Sequence, residues 1–162
     1  MGPEEAVRLR GVLDRMVREK EIAAAFFGRM AESLDEVDQR RWFRRMAQDE
    51  KDQRKILVKH RRELCGNVQT GQPVVTSTIH ERLSKVTRGT EPGLEEALAL
   101  AVRSADEALS ACNRASEMVS DRSFRIFQKI LGAESQAHRA ELVKSLREIE
   151  RERKAEVEEL AA

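Results

Sequence analysis

The second half of this chain repeats the first half, and this repeat restricts the possible folds more than any other feature. The stretch WFRRMAQDEKDQRKIL at residues 42–57 has a counterpart, FQKILGAESQAHRAEL, that begins at Phe127. An offset of 84 residues matches Phe43 with Phe127 and Glu50 with Glu134. Both stretches are rich in residues that favour helices, so the repeat predicts two similar helical units.

The segments that precede these two stretches also match each other, at an offset of 85 residues. We expect two helical hairpins related by an approximate two-fold axis. The one-residue difference would fall in a hairpin turn, where an insertion is tolerated best. The matched positions are Leu13 with Leu98, Val17 with Val102, Ala23 with Ala108, and Phe27 with Cys112.

Apolar residues recur every three or four positions over four long stretches, which predicts four helices. The pattern Ser33-x-x-Glu36 is typical of a capping box and predicts where the second helix starts. Gly66 predicts its end, and Thr78-x-x-Glu81 predicts a short additional helix at about 79–87. The four long helices are predicted from Pro3 to about 33, from 34–36 to about Leu64, from near Pro92 to about Val119, and from beyond Asp121 to about Leu160.

The lengths of the connections predict the topology. Short turns join the helices within each hairpin, at 4–65 and 92–160, whereas residues 66–91 form a long connection between them. A helix of ~30 residues is about 45 Å long, and a connection of this size can cross that distance. We therefore predict an all-α fold: one four-helix-bundle domain over residues 1–162, with two antiparallel hairpins and a long crossover.

The overall charge excludes several classes of partner. Lysine plus arginine and aspartate plus glutamate nearly balance, for a net charge of +1, so we expect neither a nucleic-acid nor a membrane partner. The chain has no apolar run of ~20 residues and begins without the apolar segment of a signal peptide. Cys65 and Cys112 stand alone, which suggests free thiols in the cytoplasm and excludes a four-cysteine metal ribbon within the chain.

Four stretches resemble the rubrerythrin-like branch of the ferritin-like superfamily: AAAFFGRMAESL, WFRRMAQDEKDQRKIL, LEEALALAVRSADEA and FQKILGAESQAHRAEL. The resemblance covers most of residues 13–146. It implies a ferritin-like four-helix bundle in which helices one and three each supply a Glu and helices two and four each supply Glu-x-x-His. In that family, these six ligands hold two irons for peroxide reduction or for iron oxidation and storage.

The ligand set that the resemblance implies is largely missing from this chain. Two of the six ligand types remain, which does not meet the need of a di-iron site for several carboxylates and imidazoles. We therefore expect no cofactor, no catalytic residue and a degenerate di-iron site. The residues at the six positions are Lys20, Glu50, Gln53, Ala105, Glu134 and Ala137.

Lys20 is the most informative departure from the family pattern, because a buried ammonium group is costly unless it is paired. We hypothesise that Lys20 lies between Glu50 and Glu134 and replaces the positive charge of the metals, while Gln53 donates hydrogen bonds to acceptors left over. The alternative is that Lys20 reaches the surface and that Glu19 or Glu21 faces inward.

A residual metal site is the second possibility. His138 lies four residues after Glu134, so both side chains can share a helix face. With Glu50 they could form a three-ligand site, for which iron would be the cofactor and a non-haem iron oxidoreductase the function. His60 and His80 lie in basic or loop contexts and carry less weight.

The second helix is strongly basic, which is usual for a solvated helix face. Alternatively, this face binds an acidic protein partner, or the acidic part of the last helix in a dimer. The last dozen residues have few apolar side chains, so they are expected to project into solvent or to pack on a partner. Taken together, these features predict a non-catalytic structural or interaction protein, most simply a homodimer. The basic residues are Arg40, Arg41, Arg44, Arg45, Lys51, Arg54, Lys55, Lys59, Arg61 and Arg62.

Overall fold

A computed structural model describes residues 1–89 and 93–162, and within these ranges the chain is entirely helical outside its turns and connections. The all-α class predicted from the periodicity is confirmed. The predicted start of a helix near Pro92 lies outside the described residues. The helices are α1 (Pro3–Ser33), α2 (Val37–Cys65), α3 (Thr78–Arg88), α4 (Leu94–Met118) and α5 (Arg122–Ala161).

The four long helices form two hairpins. α1 packs along α2 and α4 packs along α5, and each pair is joined by a turn of three residues, 34–36 and 119–121. The two hairpins are joined by the long segment 66–93, which contains α3. That short helix packs on α1 and α4. No helix in the described part of the chain is both long enough and apolar enough to cross a bilayer.

Two buried apolar clusters show how the hairpins face each other. In the first cluster, Phe26 and Phe43 pack with Leu98 and Leu142, which joins the second half of α1 to the first half of α4. In the second cluster, the first half of α1 meets the second half of α4. α1 and α4 are therefore antiparallel, and the connection that contains α3 runs from one end of the molecule to the other.

The observed helix caps correct part of the predicted ones. Glu36 is the N-cap of α2, and its carboxylate accepts hydrogen bonds from the backbone N–H groups of Asp38 and Gln39. The predicted capping role of Ser33 is wrong, because its hydroxyl donates to the carbonyl of Met30 at the end of α1. Two carboxylate oxygens can accept from two orphan N–H groups at once, which a serine hydroxyl does less well. Ser77, the residue before Thr78, caps α3.

The burial pattern corrects the offset between α2 and α5. Buried positions in α2 recur in α5 at an offset of 85 residues, the same as between α1 and α4. The offset of 84 would bury Ile130, which is 51% exposed. The offset of 85 pairs Phe43 with Gln128, Met46 with Leu131, Ala47 with Gly132, Glu50 with Ser135, Gln53 with His138, and Leu57 with Leu142.

Gly28→Ala is expected to stabilise the protein by about 0.5–1 kcal/mol, because glycine inside a helix loses more backbone entropy on folding than alanine. A Cβ atom at Gly28 meets no atom within 4 Å. Gly66→Ala provides the contrast: its φ is +55°, so alanine there is strained and destabilises. Urea unfolding of both variants checks the prediction, and a destabilised Gly28→Ala would contradict it.

Candidate functional site

A buried ion pair lies between α1 and α2. The ammonium Nζ of Lys20 lies 3.1 Å from Oε2 of Glu50, and the two residues are 5% and 7% exposed. The Glu50 oxygen makes no hydrogen bond of good geometry. Charge attraction in a poorly hydrated environment therefore holds the two groups together.

The pair borders an internal cavity of about 30 Å³ between the two hairpins. A cavity of this size has room for one or two water molecules. Alanines from α4 and apolar side chains from α1 and α2 form much of its wall. The polar or ionisable residues that line it are Glu19, Lys20, Glu50, His80, Ser104, Cys112, Ser135 and His138.

The structure brings part of the predicted site to this cavity. Lys20 and Glu50 line it, and so does Ala105, while Gln53 is buried close by on α2. The inward positions expected of Glu134 and Ala137 are wrong, because both residues are exposed.

Ser135 and His138 line the cavity instead. The error comes from the register: matching Glu134 to Glu50 by residue type places α5 one residue too early. One residue is a rotation of about 100° around a helix axis. That rotation moves Glu134 out of the core and places Ser135 where the repeat would require a second carboxylate.

The expectation that Lys20 lies between two carboxylates is wrong. The ion pair of Lys20 is with Glu50, while Glu134 accepts a hydrogen bond from Nε2 of Gln53. Gln53 therefore acts as the donor that the sequence predicted. Glu19 also faces inward and pairs with Arg15 at 2.9 Å. The alternative that Lys20 reaches the surface is wrong, because Lys20 is buried together with Glu19.

The residues around the cavity do not fit the di-iron cofactor that the resemblance implies. The Nε2 atom of His138 lies 3.0 Å from Oδ2 of Asp49. The three fallback ligands are not gathered into one site. Across residues 1–89 and 93–162, no group of three or more His, Cys, Asp or Glu side chains is placed to hold a metal ion. In the observed register the six positions hold Lys20, Glu50, Gln53, Ala105, Ser135 and His138, a set with one carboxylate, one imidazole and a competing cation.

His80 is a buried residue that the sequence analysis underestimated. It is 3% exposed, and its Nδ1 lies 2.8 Å from the hydroxyl of Ser77, 3.4 Å from Glu107 and 3.7 Å from Glu19. The backbone N–H of Ser77 also donates to Glu19 at 3.3 Å. These contacts fasten α3 to α1 and α4. The sequence did contain one indication of this burial. Ile79, next to His80, is an apolar residue in a short helix, and such a helix packs its apolar side on the bundle.

Burial controls the protonation of the ionisable groups near the cavity. Loss of hydration lowers the pKa of His80 below 6.5, although Glu19 and Glu107 act in the opposite direction. The same effect raises the pKa of the Cys112 thiol. At neutral pH the imidazole is uncharged and the thiol is protonated, so Cys112 behaves as a small apolar residue rather than a nucleophile.

The protein is expected to lose stability as the pH falls below 6.5, in part through His80. The folded-state pKa of His80 is lower than the unfolded value near 6.5, so below that pH the unfolded chain takes up a proton that the folded chain resists. This loss continues until the pH reaches the folded pKa. The groups facing His80 are Glu19 and Lys20 from α1, Glu107 from α4, and Ser77 before its own helix.

The measurement is the free energy of unfolding between pH 5 and pH 8 for the wild type and His80→Gln. We expect a smaller pH dependence in the variant. His60, whose pKa is also lowered by burial, is present in both proteins and cancels in the comparison. An identical pH slope would contradict the assignment.

Comparison with known proteins supports the fold without adding a function. A hypothetical protein from Pyrococcus furiosus has a similar structure, with a TM-score of 0.69 and 19% sequence identity over 86% of this chain and 88% of that one. No protein-family model matches the chain, and no curated protein matches it. The similarity therefore concerns the arrangement of the helices alone.

Proposed function

We propose that this chain is a rubrerythrin-like member of the ferritin-like superfamily whose di-iron site has degenerated, and that it acts as a non-catalytic structural or interaction protein. The observation that carries the proposal is the Lys20–Glu50 ion pair at the cavity. The two hairpins joined by a connection that runs the length of the molecule support it, because this is the topology of ferritin-like bundles.

The chemistry of the pair explains how such a bundle could remain folded without metal. A carboxylate in a core needs a nearby positive charge, or it must take up a proton. In rubrerythrin-like proteins, metal ions supply that charge. Here Lys20 supplies it to Glu50, and Ala105 and Ser135 at two other ligand positions bring no carboxylate that would require a second cation.

The alternative function is a non-haem iron oxidoreductase with a residual site. The observation in its favour is that Glu50 and His138 both line the cavity. Against it, the third fallback ligand, Glu134, is exposed and accepts a hydrogen bond from Gln53. The ammonium group of Lys20 also pairs with Glu50 at 3.1 Å, so this carboxylate needs no metal ion to balance its charge.

Metal analysis of the purified protein tests the proposal. Cells are grown with added iron and zinc, and the metal content per chain is measured by mass spectrometry for the wild type, Glu50→Ala and Glu134→Ala. We expect far less than one metal per chain in all three proteins. One metal per wild-type chain that is lost in Glu50→Ala would overturn the proposal in favour of the oxidoreductase.

A further inference from the structure

The end of α5 projects beyond the rest of the bundle. Arg153 bonds to Glu95 near the start of α4, at 2.9 Å, and residues 154–161 are all exposed. These last eight residues extend about 12 Å past that contact. Val157 and Leu160 are 60% and 89% exposed, a high exposure for apolar side chains in an ordered helix.

The projecting segment, residues 154–161, has both an acidic and an apolar character. Glu156, Glu158 and Glu159 form no ion pair within the described part of the chain. Val157 and Leu160 are three residues apart and share one side of the helix. They continue the apolar side of α5 that packs on the core through Leu146 and Ile149. The segment therefore carries a core-like surface with nothing of its own chain against it.

The beginning of α2 has the opposite character. Arg44 and Arg45 are exposed and without ion pairs among the described residues, and Arg41 has one long contact, 3.9 Å from Asp38. The carboxylate of Glu36 already accepts hydrogen bonds from the N–H groups of Asp38 and Gln39, so the positive charge of this region comes from the arginines. Val37, the first residue of α2, is 55% exposed.

Both surfaces lie at the same end of the molecule. Phe43 and Met46 near the start of α2 pack in one cluster with Leu142, and Leu146 and Ile149 join that cluster just before α5 leaves the bundle. Within one chain the projecting segment continues past this end as a helix, while the arginines face outward from α2. The two surfaces do not contact each other.

We propose that residues 154–161 of one copy pack against the first turns of α2 in a second copy, and that the second copy returns the same contact. In this end-to-end dimer, Glu156, Glu158 and Glu159 meet Arg41, Arg44 and Arg45, while Val157 and Leu160 cover Val37. The inference extends the proposed interaction role by naming the partner as a second copy of this chain. The metal analysis described above tests the proposed loss of the metal site separately.

A second copy fits this surface for three reasons. Its projecting segment has the opposite charge, it has exposed apolar side chains to match Val37, and a two-fold axis makes both contacts at once. The contact is small by the standard of stable interfaces, so the dimer should be weak and concentration-dependent. Added salt should weaken it, because exposed charges are screened.

Charge exchange between two variants tests the dimer. The tail variant carries Glu156→Lys, Glu158→Lys and Glu159→Lys, and the α2 variant carries Arg41→Glu, Arg44→Glu and Arg45→Glu. Sedimentation equilibrium should show a dimer for the wild type and a monomer for each variant alone. An equimolar mixture should form a heterodimer, because one pair of surfaces is native and the other has both charges reversed.

A matched control reverses three exposed charges at the start of α5 instead, with Arg122→Glu, Arg125→Glu and Lys129→Glu. This variant changes the net charge as much as the α2 variant and should still form a dimer. Three results would overturn the proposal: a wild type that is monomeric at every concentration, a dimer that survives in both variants, or a mixture of the two variants that stays monomeric. Circular dichroism verifies that each variant is folded.

Discussion

Lys20→Met is expected to lower the free energy of unfolding by about 3–5 kcal/mol at neutral pH, because removing one partner of a buried ion pair leaves the other charge uncompensated. Glu50 is 7% exposed and its nearest cation is the ammonium of Lys20, 3.1 Å away. Methionine preserves most of the length of the side chain, so the loss reports the missing charge more than a packing defect. Urea unfolding at neutral pH measures the effect.

Two controls separate the pair from general effects of substitution. Lys51→Met removes an exposed lysine of α2 and should change stability by less than about 0.5 kcal/mol. The double variant Lys20→Met with Glu50→Leu should recover most of the loss, since apolar residues of similar volume often replace a buried pair without penalty. An unchanged melting temperature in Lys20→Met would reject the ion pair as a structural requirement.

Glu50→Ala and Glu134→Ala are expected to differ, although both remove a glutamate from a matching stretch of the repeat. Glu50→Ala leaves the buried ammonium of Lys20 unpaired and should cost about 3–5 kcal/mol. Glu134 is exposed, and its removal deprives Gln53 of one hydrogen bond. That loss should cost about 1–3 kcal/mol, less than the loss from an unpaired buried ammonium group.

The same pair of variants tests the register of α5. If Glu134 were the structural counterpart of Glu50, the two substitutions would destabilise the protein to a similar extent. Thermal unfolding followed by circular dichroism is sufficient, because the expected difference corresponds to several degrees in a domain of this size. Equal losses would restore the offset of 84 residues and contradict the burial pattern.

The helices and their connections could be predicted from the sequence because they depend on signals that are local. Apolar spacing predicted α1, α2, α4 and α5 to within a few residues. The glycine at position 66 predicted the end of α2, and in the structure Gly66 has a positive φ of 55° there. The long connection followed from the loss of periodicity after Gly66. The placement of Lys20 near Glu50 also followed, because an ammonium group in a core must find a carboxylate.

The register of α5 against α2 could not be predicted, because residue types alone favour the wrong offset. Phe127 and Glu134 match Phe43 and Glu50 in identity, whereas the true counterparts, Gln128 and Ser135, do not resemble them. Which face of α5 is buried depends on its packing against α4, and both helices have small residues on several sides. A rotation of one residue therefore changes little in the sequence pattern and moves a carboxylate out of the core.

The role of His80 was missed for a different reason. Its segment was interpreted as part of a long connection, and a histidine there is usually exposed. In the structure, Ile79 and Leu83 bury the inner side of α3, which places His80 against Glu19 and Glu107. Ile79 and Leu83 indicate which side of α3 faces the bundle, but they do not specify that His80 beside them is buried as well, because tertiary contacts with α1 and α4 determine that.

A double-mutant cycle on Lys20 and Glu50, compared with one on Lys20 and Glu134, tests most directly whether Lys20 and Glu50 form an energetically coupled pair in the core. Each cycle compares the unfolding free energies of the wild type, two single variants and the double variant, and isolates the coupling between the two side chains. We expect at least about 4 kcal/mol of coupling for Lys20 with Glu50, because each single variant loses about 3–5 kcal/mol and the double variant regains most of that loss. We expect close to none for Lys20 with Glu134. Negligible coupling between Lys20 and Glu50 would contradict the account.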